Sequence, residues 1–147
     1  MTDREFTIHR VFDAPRELVF QAWTRPEHMA QWYGPVGTTT PLDTISMDVR
    51  PGGAWRACMI GDDNGERYPS GGEFREVVEP ERLVFTWGEP GGDEVALATV
   101  TFDDLGGKTA MTFHLAGLPA DNSELFDNVQ SGWASAFDRL TAHMENR

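Results

Sequence analysis

Residues 122–145, NSELFDNVQSGWASAFDRLTAHME, decide the fold. At about 100° per residue, Phe126, Val129, Trp133, Phe137, Leu140 and Met144 fall within an arc of roughly 80°, which is the apolar stripe of a long amphipathic helix. Asp127, Ser131, Ser135, Asp138 and Glu145 project on the other side. Asp121, Asn122 and Ser123 offer N-cap oxygens after Pro119, and Glu124 sets a carboxylate at the positive helix end. A stripe this large, with aromatic rings in it, needs a broad surface to lie on. The preceding chain supplies a sheet.

Phe6 to Phe12 alternates, with Phe6, Ile8, Arg10 and Phe12 on one face, and reads as a first strand. Asp13-Ala14-Pro15 breaks it. Leu18, Val19, Ala22 and Trp23 then have helical spacing up to Thr24-Arg25-Pro26, and a second short helix runs from Pro26 to Trp32 before the Gly34-Pro35 turn. From Leu42 to about Leu115 the chain reads as successive strands: Thr44–Arg50, Ala54–Ile60, Glu73–Val78, Leu83–Trp87, Glu94–Phe102 and Thr109–Leu115. Turn signals separate them at Pro51-Gly52-Gly53, Asp62-Asp63-Asn64-Gly65, Glu79-Pro80-Glu81, Pro90-Gly91-Gly92 and Asp104-Leu105-Gly106-Gly107. Short connections imply antiparallel neighbours, and no helices intervene between the later strands. The expected class is therefore α+β: a curved antiparallel sheet of about six to seven strands wrapped on a long C-terminal helix, with two short helices after strand 1.

The chain of 147 residues suits one domain, 1–147, able to bury about two-thirds of its unfolded surface in one core. Its apolar runs are too short to span a bilayer, and Met1-Thr2-Asp3-Arg4-Glu5 lacks the basic-then-apolar layout of a signal peptide, so a cytoplasmic address is expected. The lone Cys58 calls for no oxidising compartment. A net charge of −12 and a pI near 4.6 disfavour nucleic acid and anionic membrane as partners, because both are bound through clustered Lys and Arg.

Motifs for chemistry are sparse. Asp48 and Arg50, two apart on a strand face, read as a structural pair beside the Gly52-Gly53 turn. His9, His28, His114 and His143 show no i, i+4 pair and no nearby Cys, so no metal site is expected. The paired acids Asp62-Asp63, Glu79 with Glu81, and Asp103-Asp104 lie in turns, where solvated carboxylates are ordinary. Nucleophile elbows, phosphate loops and dinucleotide fingerprints are missing, and no cofactor is implied.

Several stretches together resemble one family. They are Trp32-Tyr33-Gly34-Pro35, Met47 to Trp55 with its Arg50-Pro51-Gly52-Gly53 centre, Gly72 to Trp87, and Gly132-Trp133 with Phe137 and Leu140. These motifs, in this order, are similar to the homologues of the heat-shock protein 90 ATPase activator, within the START, polyketide cyclase and helix-grip (SRPBCC) superfamily. The resemblance covers roughly Phe6 to Ala142 and implies the helix-grip fold. It is less specific for function, since superfamily members bind different ligands and only some are enzymes. In the eukaryotic activator this domain is the C-terminal part, and a separate N-terminal domain does much of the chaperone work.

A helix lying across a curved sheet often leaves an apolar wedge between the two. Trp23, Trp32, Trp55, Trp87 and Trp133 are each ordinary core residues taken singly. As a set, with Val129, Trp133 and Phe137 on the helix, they outline a pocket whose sheet-side walls are Phe74, Phe85, Trp87, Phe102, Met111 and Phe113. Alternation puts Met111, Phe113 and Leu115 on one face, and Val100 and Phe102 on another, without saying which is inside. His28, Arg56, Tyr68, Glu73, Glu76 and His114 are the polar groups to test for acid–base work in such a pocket.

The expected function is binding of a small apolar or amphipathic molecule between helix and sheet. One alternative is a co-chaperone acting on heat-shock protein 90 through its surface. Another is a small cyclase or hydrolase using the same cavity. Homodimerisation through sheet edges is a further expectation.

Overall fold

The protein is described by a computed structural model, which covers residues 3–89, 96–119 and 122–145. Strand β1 (Asp3–Phe12) leads into helices α1 (Arg16–Thr24) and α2 (Pro26–Trp32). The two-residue strand β2 (Thr38–Thr39), a 3-10 turn (Leu42–Thr44) and the two-residue β3 (Ser46–Met47) follow. Then come β4 (Ala54–Gly61), β5 (Arg67–Val78), β6 (Arg82–Trp87), β7 (Ala96–Asp104), β8 (Thr109–Pro119) and the long helix α3 (Ser123–Glu145).

The strands form a curved sheet in the order β1-β8-β7-β6-β5-β4-β2, with β3 also on β4, and every pairing is antiparallel. Eight strands exceed the expected six to seven because two are only two residues long. The architecture is α+β of the helix-grip kind, and α3 lies across the sheet.

Burial follows the periods read in the sequence. In β1, Phe6, Ile8 and Phe12 point inward, while Arg10 reaches α3, its guanidinium donating to the Ala134 carbonyl and to Asp138 Oδ1, each at 3.1 Å. On α3 the buried residues are Phe126, Trp133, Ala136, Phe137, Leu140 and Met144, with Val129 packed against them. Asn122 caps the helix, its Oδ1 accepting the Leu125 N–H at 2.9 Å. Asp121 lies outside the described residues.

Several boundaries differ from expectation. Thr44–Arg50 is not one strand. The Thr44 hydroxyl donates to the Pro41 carbonyl at 2.7 Å and closes a 3-10 turn, leaving only Ser46 and Met47 to pair with Arg56 and Trp55. Strand β5 starts at Arg67 rather than Glu73. Over Arg67–Ser70 it pairs with β4 alone, and Gly71 then bridges Gly88, so Pro69, opposite Cys58 in the β4 ladder, has no described strand on its other side and costs no ladder bond. Strand β7 runs to Asp104, while the expected start at Glu94 and the turn Pro90-Gly91-Gly92 lie outside the described residues. Met111 pairs with Phe102, and Phe113 with Val100, so the two sets expected on different faces share the inner one. Asp48 and Arg50 pair with each other at 2.8 Å on the surface.

Candidate functional site

Beneath the first half of α3 lies a cavity of about 560 Å³ that opens to solvent. One wall is the loop from α2 to β2, with Tyr33, Gly34, Pro35 and then Thr38. The sheet contributes Met59 from β4, Tyr68 from β5 and Trp87 from β6. The helix roof is Leu125, Asn128, Val129, Gly132, Trp133 and Ala136. No described residue lining the cavity carries a charge.

Two residues without side chains give the cavity its shape. Gly34 has φ +103°, and a Cβ there would meet Thr38 Oγ1 at 2.7 Å and Met59 Sδ at 2.8 Å. Gly132, in mid-helix, would place a Cβ with nothing within 4 Å, so its missing side chain leaves room. Gly inside a helix costs about 1 kcal/mol against Ala, a cost that here goes with space over the cavity.

The loop is held to the helix by polar contacts. Arg139 donates from one guanidinium nitrogen to the carbonyls of Gly34 at 2.9 Å, Thr38 at 3.2 Å and Pro35 at 3.3 Å. Ser135 Oγ accepts the Val36 N–H at 2.9 Å. Thr40 donates to the Tyr33 carbonyl at 2.8 Å, which fixes the loop from its other end.

Tyr33 is the polar focus. Trp87 Nε1 donates to its hydroxyl at 2.9 Å, and Ser70 Oγ stands 2.7 Å from the same oxygen. Because indole N–H can only donate, the phenolic proton is left for Ser70 or for a ligand. Burial pushes the Tyr33 pKa up to about 12, against the smaller opposing effect of the Ser70 and Trp87 bonds. The hydroxyl is thus a neutral donor near pH 7.

Further in, behind Tyr33 and Trp133, is a narrow void of about 20 Å³ bordered by Trp23, Met29, Met47, Trp55, Phe74, Leu83 and Phe85. Aromatic rings fill most of this interior. Trp133 stacks on Trp23 with centroids 6.2 Å apart and planes 12° apart, and lies 4.5 Å from Phe113 and 5.8 Å from both Tyr33 and Trp87.

The residues expected around the pocket separate into groups. Trp87, Val129 and Trp133 line the open cavity, as does Tyr68. Trp23, Trp55, Phe74 and Phe85 border the inner void. Trp32, Phe102, Met111, Phe113 and Phe137 are packed in the core, and the Trp32 indole donates to the Ala22 carbonyl at 2.9 Å.

Most of the polar candidates lie elsewhere. Glu73 pairs with Arg75 at 3.7 Å and Glu76 with Arg82 at 3.3 Å, both on the surface. His114 meets Glu5 at 2.8 Å, and Arg56 is exposed between the inward-facing Trp55 and Ala57. Those strand positions alternate to the outer face. His28 lies in a groove of about 500 Å³ at the other end of α3, where its Nδ1 is 3.0 Å from Nε2 of His143. The four histidines were read as scattered, and a pairing across 115 residues has no local spacing to signal it. Desolvation, and then the charge of His28, lower the His143 pKa.

Sequence reading also missed Met59, Leu125, Asn128, Gly132, Ala136 and the polar set Tyr33, Ser70 and Arg139. Gly132 carried a usable signal, a helix-weakening residue in the middle of a strong amphipathic pattern.

The sequence model of the family described as Activator of Hsp90 ATPase homolog 1-like protein matches residues 13–145. The chain belongs to that family. Solved structures place its fold in the same group. A protein from Chromobacterium violaceum superposes with TM-score 0.83 at 26% identity, covering 95% of this chain and 96% of that one. One from Mycobacterium smegmatis gives 0.77 at 26%, covering 97% and 91%. An AHSA1 protein from Silicibacter pomeroyi gives 0.79 at 23%, covering 97% and 98%, and at that identity supports the fold alone. No curated protein matches the chain. Among the described residues no helix is long and apolar enough to cross a membrane, and no cluster of three or more His, Cys, Asp or Glu side chains could hold a metal ion.

Proposed function

We propose that this member of the Hsp90-activator-like family binds a small, neutral, apolar or amphipathic molecule under the first half of α3. One observation carries the reading: an open cavity of about 560 Å³, walled by aromatic rings and Met59, with no charge among its described lining residues. Its size lies within the roughly 300–1,000 Å³ of small-molecule sites. Tyr33, Thr38, Tyr68 and Asn128 supply neutral polar groups in a mostly apolar wall, which suits a ligand with few polar groups. With no carboxylate or imidazole among the described lining residues, the lining supports binding over acid–base chemistry.

Native mass spectrometry of the purified protein, followed by organic extraction, tests the reading directly. A discrete added mass is expected, and Gly132→Leu, which fills the cavity from the helix, should abolish it while the protein stays folded. An added mass that survives Gly132→Leu would place the ligand elsewhere and overturn the assignment.

Family membership favours a second reading, a co-chaperone of heat-shock protein 90. It predicts direct binding and a changed ATPase rate. An unaltered rate at micromolar protein would remove it.

A further inference from the structure

The indole nitrogen of Trp23 is buried without a hydrogen-bond partner, although the residue is only 5% exposed. Three of the other indoles in the wall and core have partners. Trp32 donates to Ala22, Trp55 to Thr86 and Trp87 to Tyr33. A buried donor left unpaired loses its hydration and gets nothing in return, so its place beside an inner void needs a physical reason.

Trp23 borders the narrow void of about 20 Å³. One water would fit that volume, but a water needs two or more polar partners, and the wall offers thioethers, aromatic rings and Leu83. The Tyr33 hydroxyl is already engaged by Ser70 and Trp87. Tyr33 and Trp133 border both this void and the open cavity, so they are the partition between the two. Behind the partition stand Met29 and Met47, unbranched side chains that repack at low cost. The ring that closes the void, Trp133, lies nearly parallel to Trp23.

We propose that the void is the contracted inner end of the binding cavity, and that it opens when the Trp133 indole swings aside. The ligand class that fits is a neutral, flat molecule bearing a carbonyl or ether oxygen. Its ring takes the space beside Trp23 that Trp133 leaves, and its oxygen meets the edge of the indole and accepts the in-plane N–H. This rests on the binding reading above and extends it to a subsite and a ligand class.

The test titrates full-length protein, with its tryptophan indoles labelled with nitrogen-15, with two probes of similar size: 2-acetylnaphthalene and the hydrocarbon 2-isopropylnaphthalene. The ketone should bind roughly tenfold more tightly and move the Trp23 indole N–H resonance downfield, while the hydrocarbon should not move it in that direction. Trp23→Phe, which identifies that resonance, should make the two affinities equal. If that variant fails to fold, the wild-type resonance still decides. Binding of both probes with the Trp23 resonance unmoved would confine ligands to the outer cavity, overturning this inference while leaving the binding reading intact. Binding of neither probe up to its solubility limit would overturn both.

Discussion

The two halves of α3 lie across the same sheet and do opposite things. From Phe137 to Met144 the inward residues are large and closed off, with Phe137 and Leu140 wholly buried. From Leu125 to Gly132 only Phe126 is buried, against Phe6, while Leu125, Val129 and Gly132 border open space. The difference does not come from a shortage of aromatics, since Trp87 and Trp133 stand at the cavity itself. It comes from what sits opposite. The packed half rests against the short helices, where Trp23 and Trp32 both meet Phe137. The open half faces a loop that Gly34 and Pro35 turn away and that Arg139 holds at a distance. A cavity here is a property of small residues and a restrained loop, more than of the rings that decorate it.

The strongest way to break this comparison is Phe137→Ala in the packed half. It should cost about 3–5 kcal/mol, read as a lower urea midpoint, because neighbours that close-packed refill a lost ring poorly. A cost under about 1 kcal/mol would mean the packed half is as loose as the open one.

Tyr33→Phe tests the boundary between the halves. It strips the partner from Trp87 Nε1 and from Ser70 Oγ, and should cost about 1–3 kcal/mol by chemical denaturation. Gly132→Ala should have the opposite sign. The new methyl meets nothing within 4 Å, so the helix gains up to about 1 kcal/mol and the melting temperature rises while ligand affinity falls. A destabilised Gly132→Ala would mean the space over the cavity is not free.

The smallest effect belongs to the far end of α3. His143 has a pKa held below the ordinary 6.5 by desolvation first and by His28 second, in a groove also lined by Asp13, Gln21 and Glu145. A depressed base binds more protons unfolded than folded. Its contribution is therefore complete above about pH 6.5 and is lost as pH falls through the lowered folded value. His143→Gln should flatten the stability profile between pH 7 and pH 5, whereas a slope identical to wild type would assign the acid sensitivity to other groups.

How much was legible in the sequence follows from the range of the signals. The α3 stripe and the strands of the sheet repeat every 3.6 or 2 residues, so Phe126, Trp133, Phe137, Leu140 and Met144 could be assigned inward from local spacing alone. Strand β5 begins before the expected Glu73 because Pro69, Gly71 and Gly72, residues that weaken a strand by their own preference, are acceptable where one side of the segment is largely open. The site was less visible. Tyr33, Ser70 and Trp87 meet across three separate elements, and no periodicity links them. Aromatic content pointed to rings near a pocket, yet Trp32, Phe102, Met111, Phe113 and Phe137 are core, because a ring's chemistry does not tell a wall from a filling.

The crowding of indoles has an optical consequence. Trp23 and Trp32 lie 4.8 Å apart with planes at 60°, and Trp87 and Trp133 lie 5.8 Å apart at 64°. Chromophores this close and this skewed share their excited states, so far-ultraviolet light is absorbed by the group and leaves a paired, opposite-signed band in circular dichroism. Turning one ring of the set changes that band. The chain thus carries its own dye, built from the residues that close the inner end of its cavity.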